Sequence, residues 1–273
     1  RPIFDDDILI SSASYTTNVV GLPGGVLVGS GPWTLASLQN IGVGATHTYT
    51  LTVNVNLDLR SASSGNNVYT RCGQTAQGIP SPGEGLFNRS LLDTNGDGIA
   101  DEIREVCGDI PYITHLKTIQ NITSTGVNTY RVDYQVQVRN TGGAAGNYSL
   151  VDQPAFDDDI NIINASYTSD APSNPGLPLG GPGPWLIANN IPLNAGSVHT
   201  YTIRVNVSID LRPISGGDNV YTRCGQTTPG TPRQGEGLFN RTSLDANNDG
   251  TPDEFSEVCG DLPYITHQKT VQS

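Results

Sequence analysis

Residues 130–140 read YRVDYQVQVRN with an unbroken alternation: Tyr130, Val132, Tyr134, Val136 and Val138 fall on one side of an extended chain, and Arg131, Asp133, Gln135, Gln137 and Arg139 on the other. A period of two with one apolar side specifies a half-buried strand. The pattern recurs at Tyr49, Leu51, Val53, Val55, Leu57 and Leu59, and again at Tyr201, Ile203, Val205, Val207, Ile209 and Leu211. Shorter strands are expected around Tyr148–Val151, Ile160–Tyr167, Asn219–Cys224 and Val258–Tyr264, between turn-rich stretches such as NTGGAAGN at 140–147 and SDAPSNPGLPLGGPGP at 169–184. No stretch sustains a period of 3.6, and 32 glycines with 18 prolines leave little room for long helices. The expected class is all-β.

The two similar strands belong to a larger repetition. Shifted by 152 positions, residues 1–121 fall on 153–273 without a gap, and about 70 of the 121 pairs are identical, which marks a tandem duplication and not a shared composition. FDDDI at Phe4 meets FDDDI at Phe156, GPW at Gly31 meets GPW at Gly183, and NVYTRCGQT at Asn67 meets NVYTRCGQT at Asn219. Residues 122–152 have no counterpart. The expected division is an incomplete unit at 1–115, a complete unit at 116–267, and the start of a further unit at 268–273. Two origins fit this phase: a window of a longer array, or a protomer completed by strands of a neighbour. The tail restores only the first few missing residues, which favours the window. Short strands with one apolar face each make tandem immunoglobulin-like sandwiches of two sheets the expected architecture. Near-identical modules in series suit fibres, stalks and surface layers better than enzymes.

A net charge of −12 and a pI near 4.5 argue against a phosphate backbone as partner and are compatible with cations. Nucleic acid is therefore not expected, and no apolar run reaches membrane-spanning length. Cys72, Cys107, Cys224 and Cys259 come in repeat-related pairs 35 apart with no CxxC, so two disulfides within units, Cys72 to Cys107 and Cys224 to Cys259, are the simplest reading and buried thiols the alternative. Each bridge would remove about 3 to 4 kcal/mol of unfolded-state entropy on the chain-entropy account. Disulfides imply an oxidising compartment, extracellular or at the cell surface.

The stretch LKTIQN…NTYRVDYQVQVRNTGGAAGNYSLVDQPAFDDDINIINASY resembles the bacterial surface repeat called DUF11 or the conserved repeat domain. The matching positions are Lys117, Tyr130, Asn140, Gly142 and Asp152, over about 50 residues, and the segment carrying the cysteines departs from the short family repeat as a long insertion. The resemblance implies an immunoglobulin-like module of large secreted or surface-attached proteins, structural or adhesive, with no catalytic residues to transfer.

DTNGDGIADE at Asp93 and DANNDGTPDE at Asp245 place oxygen ligands at alternating positions, with Gly98 or Gly250 where a calcium loop turns sharply. The pattern resembles thrombospondin type 3 and dockerin-type loops. The candidate calcium ligands are Asp93, Asn95, Asp97, Ile99 through its carbonyl, Asp101, Glu102 and Glu105, and in the second copy Asp245, Asn247, Asp249, Thr251 through its carbonyl, Asp253, Glu254 and Glu257. Arg104 and Ser256 stand where the twelfth-position acid is expected, so the glutamates are the substitutes. A solvated acidic turn is the alternative. The loop lies between the paired cysteines, so metal and disulfide would together order an excursion poor in apolar residues. Asp5 to Asp7 and Asp157 to Asp159 read as exposed turns, or as a second cation site.

The only two lysines, Lys117 and Lys269, hold the same repeat position. A salt bridge at a domain boundary is the plain expectation, and an isopeptide bond with Asn140 the sharper one. His47, His115, His199 and His267 read as solvated or packed residues at strand edges. No GxSxG, HExxH or P-loop pattern occurs, so catalysis is not expected. Six N-x-S/T sequons, at Asn88, Asn121, Asn147, Asn164, Asn206 and Asn240, are unremarkable in a chain this rich in Asn, Ser and Thr. The leading expectation is a segment of an extracellular fibre or surface array whose partner is itself. The alternative is an adhesin for a glycan or host protein, with Trp33 and Trp185 as contact residues.

Overall fold

Every regular element is a strand in the computed structural model, which describes residues 1–57, 68–210 and 222–263. The expected strand positions at Leu59, Leu211, 219–221 and Tyr264 lie outside the described residues. Contacts divide the chain into Arg1–Pro111 with Gly142–Ala144, unit 1, and Tyr112–Thr141 with Ala145–Ser273, unit 2.

Unit 2 builds two sheets. Strands β6 (Ile113–Gly126), β7 (Thr129–Asn140), β9 (Ile160–Ser169), β10 (Pro178–Leu179) and β12 (Val198–Ile209) form one sheet in the order β10-β9-β12-β7-β6. Strands β8 (Gly146–Pro154), β11 (Trp185–Leu193), β13 (Asn240–Asp245) and β14 (Glu254–Val258) form the other in the order β11-β8-β13-β14. The alternation in the sequence sets the register. β7 pairs antiparallel with β12 from Arg139 opposite Val198 to Thr129 opposite Ser208, so Val132, Tyr134, Val136 and Val138 share a face with Tyr201, Ile203, Val205 and Val207. That face joins Tyr148, Leu150, Ile187, Leu193 and Leu244 of the second sheet in one buried core.

The cysteine-bearing segment, expected as an insertion poor in apolar residues, is part of this core. β13 pairs with β8 from Asn240 opposite Pro154 to Asp245 opposite Ser149, and Leu238 and Leu244 are fully buried. The expected strand at Val258–Tyr264 runs instead from Glu254 to Val258.

Unit 1 contains β1 (Ile8–Thr17), β2 (Gly25–Leu27) and β3 (Tyr49–Leu57) in one sheet, with β4 (Asn88–Leu92) and β5 (Glu102–Val106) as a separate hairpin. These are the repeat equivalents of β9, β10, β12, β13 and β14. The counterpart of β11, residues 33–41, forms no strand and shares with it only Trp33 and Ala36 at equivalent positions. β11 is held only by β8, and a strand without a partner leaves its backbone groups unpaired. One trace of a β8 counterpart survives as the bridge between Pro2 and Asn88, which repeats the pairing of Pro154 with Asn240. Among the described residues β3 pairs with β1 alone, and its apolar residues are half-buried where those facing the core from β12 are buried.

The two copies thus place equivalent residues in opposite environments. Leu244 is fully buried while its counterpart Leu92 is 52% exposed. Leu244→Ala is expected to cost about 2 to 5 kcal/mol. Leu92→Ala should stay within about 0.5 kcal/mol. Urea unfolding of the two variants checks this, and equal losses would show that unit 1 covers this face in solution.

Candidate metal centres and buried polar networks

The two acidic loops are the tips of the β4–β5 and β13–β14 hairpins. In the first, Asp93 accepts hydrogen bonds from the backbone N–H of Asn95 (3.2 Å), Gly96 (2.6 Å) and Gly98 (2.8 Å). Asn95 Oδ1 accepts from Asp97 N and Asp97 Oδ1 from Ile99 N. Asp245, Asn247 and Asp249 repeat the ladder with Gly250 N at 2.9 Å from Asp245 Oδ2. These are nested Asx turns that fix the loop before any ligand arrives.

The closing acid differs between copies. Asp101 accepts from Thr94 through both its hydroxyl (2.6 Å) and its backbone N–H (2.7 Å), which holds its carboxyl below the ordinary value. Ala246 replaces Thr94 in the second copy, and there burial outweighs the remaining bonds and raises Asp253. Hydrogen bonds from Gly98 and Gly96 lower Asp93.

The glutamates expected to replace a twelfth-position acid are engaged elsewhere, because they lie on strands and project sideways from the hairpin. Glu105 pairs with Arg89 (2.7 Å), Glu257 with Arg241 (2.6 Å) and Glu102 with Arg104 (2.7 Å). Glu254 accepts from His115 N (2.8 Å) and stands 3.0 Å from His115 Nδ1. Ile99 and Thr251 sit at the loop tips, both exposed.

Among the described residues the carboxylates gather most closely at the triplets. Asp5, Asp6 and Asp7 bring one oxygen each within 4.8 Å of one another, and Asp157, Asp158 and Asp159 do the same. These are not exposed turns, since the first and third aspartates of each triplet are buried. Neither carboxylate oxygen of Asp7 has a hydrogen-bond partner, and burial raises the Asp5 carboxyl. A cation would relieve this desolvation.

Both predicted disulfides are present, Cys72 to Cys107 and Cys224 to Cys259. Against each bridge sits a buried glutamate that the sequence reading did not single out. Glu84 accepts from Gly73 N (2.7 Å), Ser81 N (3.1 Å) and both the N–H and hydroxyl of Thr75. Glu236 repeats this with Gly225, Arg233 and Thr227. Burial alone would raise Glu84, but these bonds outweigh it and hold its pKa at about 2. The available signal was GEGLFNR, identical in both copies. Its second glycine is required: Gly237 has φ +47°, and a Cβ there would meet Gly260 O at 2.7 Å.

The remaining sequence candidates separate. His115 and His199 are buried, His115 against Glu254 and Thr242, and His199 against the Tyr148 hydroxyl at 2.8 Å. His267 and Lys269 lie outside the described residues. Lys117 is not at a domain boundary: it shares the inner face of β6 with His115 and is buried against Asp152. Asn140 serves instead as a strand-end cap, accepting from Tyr112 N (3.1 Å) and donating to Leu193 O (3.1 Å). Trp185 is buried and Trp33 half-buried, each donating from Nε1 to a loop carbonyl at 3.0 Å. No protein-family model matches the chain, and no curated protein gives a significant match.

The glutamate network carries a pH signature. Because the folded pKa of Glu84 lies below its ordinary value of 4.5, the stabilisation is complete above pH 4.5 and lost as pH falls toward about 2. Pepsin cleavage within 72–84 of the unreduced protein should rise across that window. In Glu84→Gln cleavage should be high throughout and flat with pH; a flat wild-type profile would remove the network from the account.

Proposed function

We propose that the chain is a structural segment of an extracellular fibre or surface array, made of disulfide-closed immunoglobulin-like modules of the DUF11 kind that complete one another by strand addition. The observation that carries this reading is the state of β3. Its apolar residues match those of β12, yet among the described residues no strand lies on the side that β7 covers in unit 2. An open edge beside half-buried apolar side chains is a template for another strand. Unit 2 supplies the form of the occupant, a β6–β7–β8 segment of a neighbouring repeat. Disulfides support an oxidising compartment. Among the described residues no helix is long and apolar enough to cross a membrane. The adhesin reading gains nothing from Trp33 and Trp185, which pack into their loops.

Light scattering of the whole chain against concentration tests the assembly. Association is expected, and Val53→Lys, which puts a charge on the apolar side of β3, should abolish it while the Cys224–Cys259 bridge remains formed. A monodisperse monomer at every concentration would overturn strand addition.

Calcium is the ligand proposed for the acidic loops and the aspartate triplets, and its role is rigidity. The loops are prefolded, and the buried Asp7 carboxylate lacks any partner. Binding to the folded state alone adds about 2.7 kcal/mol at a hundredfold excess over Kd. Chelation should therefore lower the melting temperature and expose 93–101 and 245–253 to protease. Unchanged melting, with no metal by elemental analysis, would remove calcium.

A further inference from the structure

Unit 2 buries three functional groups together between its sheets. Lys117 projects from β6, Asp152 from β8 and Asn240 from β13, and all three side chains are sealed from solvent. The Lys117 amine contacts Asp152 Oδ1, while Asn240 Nδ2 donates to Asp152 Oδ2 at 3.1 Å. One carboxylate therefore touches both the amine and the side-chain amide. The ring of Tyr134 closes the site, its centroid 4.8 Å from Lys117 Nζ, and its hydroxyl is turned away to Leu238 O at 2.9 Å.

Stability explains this cluster poorly. A buried ion pair is seldom better than an apolar replacement. Asn240 adds a further cost, because its Oδ1 is buried with no hydrogen-bond partner. Unit 1 keeps the same residue at the same place: Asn88 Oδ1 is likewise buried and unpartnered. An asparagine held twice against its own desolvation suits chemistry better than packing.

We propose that Lys117 and Asn240 join in an intramolecular isopeptide bond, with Asp152 as the proton carrier. Lys117 Nζ, as the neutral amine, adds to Asn240 Cγ. Asp152 takes a proton from Nζ through one oxygen and returns it through the other to Nδ2, which leaves as ammonia. The Nζ–Cγ bond forms, the Cγ–Nδ2 bond breaks, and no oxidant or cofactor is needed. Desolvation lowers the Lys117 pKa against the opposing pull of Asp152, which favours the nucleophilic form. Fixing the groups in contact replaces an encounter with an intramolecular step. The product exchanges a buried charge pair and an unsatisfied amide for one neutral linkage tying β6 to β13.

Intact mass of the denatured, reduced full-length chain decides the matter. The wild type is expected to be lighter than its sequence mass by one ammonia, and digestion should yield a branched peptide joining Lys117 to Asn240. Lys117→Arg and Asn240→Ala should each restore the full sequence mass. The wild-type measurement stands whether or not the variants fold. A wild type at full sequence mass, a loss of water with Lys117 joined to Asp152, or a branch at any other pair would overturn the assignment.

Discussion

A strand persists only where a neighbour takes up its backbone hydrogen bonds, and the pairing of β7 with β12 is the contact on which unit 2 depends. It brings two runs of alternating residues into register, and that register turns Val132, Tyr134, Val136 and Val138 together with Tyr201, Ile203, Val205 and Val207 toward the second sheet. Unit 1 shows a similar strand without this contact. β3 is formed, but its apolar side is half-covered. The counterpart of β11 is not a strand either, and among the described residues no strand of unit 1 stands where β8 pairs with β11 in unit 2. Residues 33–41 also keep only Trp33 and Ala36 of the β11 sequence, so local preference and the missing pairing act in the same direction.

The legible part of the sequence was the part governed by period two. β7, β12 and β3 declared themselves because each has a buried and a solvated face. β13 did not, since NRTSLD carries few apolar residues and is buried partly through Asn240 and Thr242. β6 showed no apolar alternation for a similar reason: its inner face presents His115 and Lys117. The disulfides were legible because the spacing of 35 occurs twice. The glutamate beneath each bridge was not, because its partners lie at the backbone of a turn, and no side-chain pattern encodes them.

Polar residues hold the parts that the apolar core does not reach. Glu84 and Glu236 organise the turn beside each disulfide through backbone N–H groups, so the excursion is ordered by a buried anion and a covalent bridge together. His199, Tyr148 and Tyr201 form a second buried chain, with the Tyr148 hydroxyl 2.6 Å from that of Tyr201. Burial and that hydrogen bond raise Tyr148 far above the range of a free phenol, so its hydroxyl stays protonated at any ordinary pH. The acidic loops differ in kind: they are largely solvated and fixed by Asx turns.

The duplication also sets a problem of timing. During synthesis β3 is finished before β7 emerges, whereas β12 follows β7 by some sixty residues. Within this stretch β7 therefore has two similar strands to pair with, the earlier of them β3. On the outward side of the aligned strands 49–57 and 201–209, only Thr52/Arg204 and Asn56/Ser208 differ. Arg204 bonds Asp133 of β7 at 2.8 Å, a contact Thr52 cannot make. The arginine is half-exposed, so its contribution is at most about 1 kcal/mol, a few-fold preference between two near-identical strands. The intervening lengths are alike, about sixty residues from β7 to β12 and about seventy from β3 to β7, so loop closure barely separates the two pairings and a single surface arginine supplies most of the preference between copies.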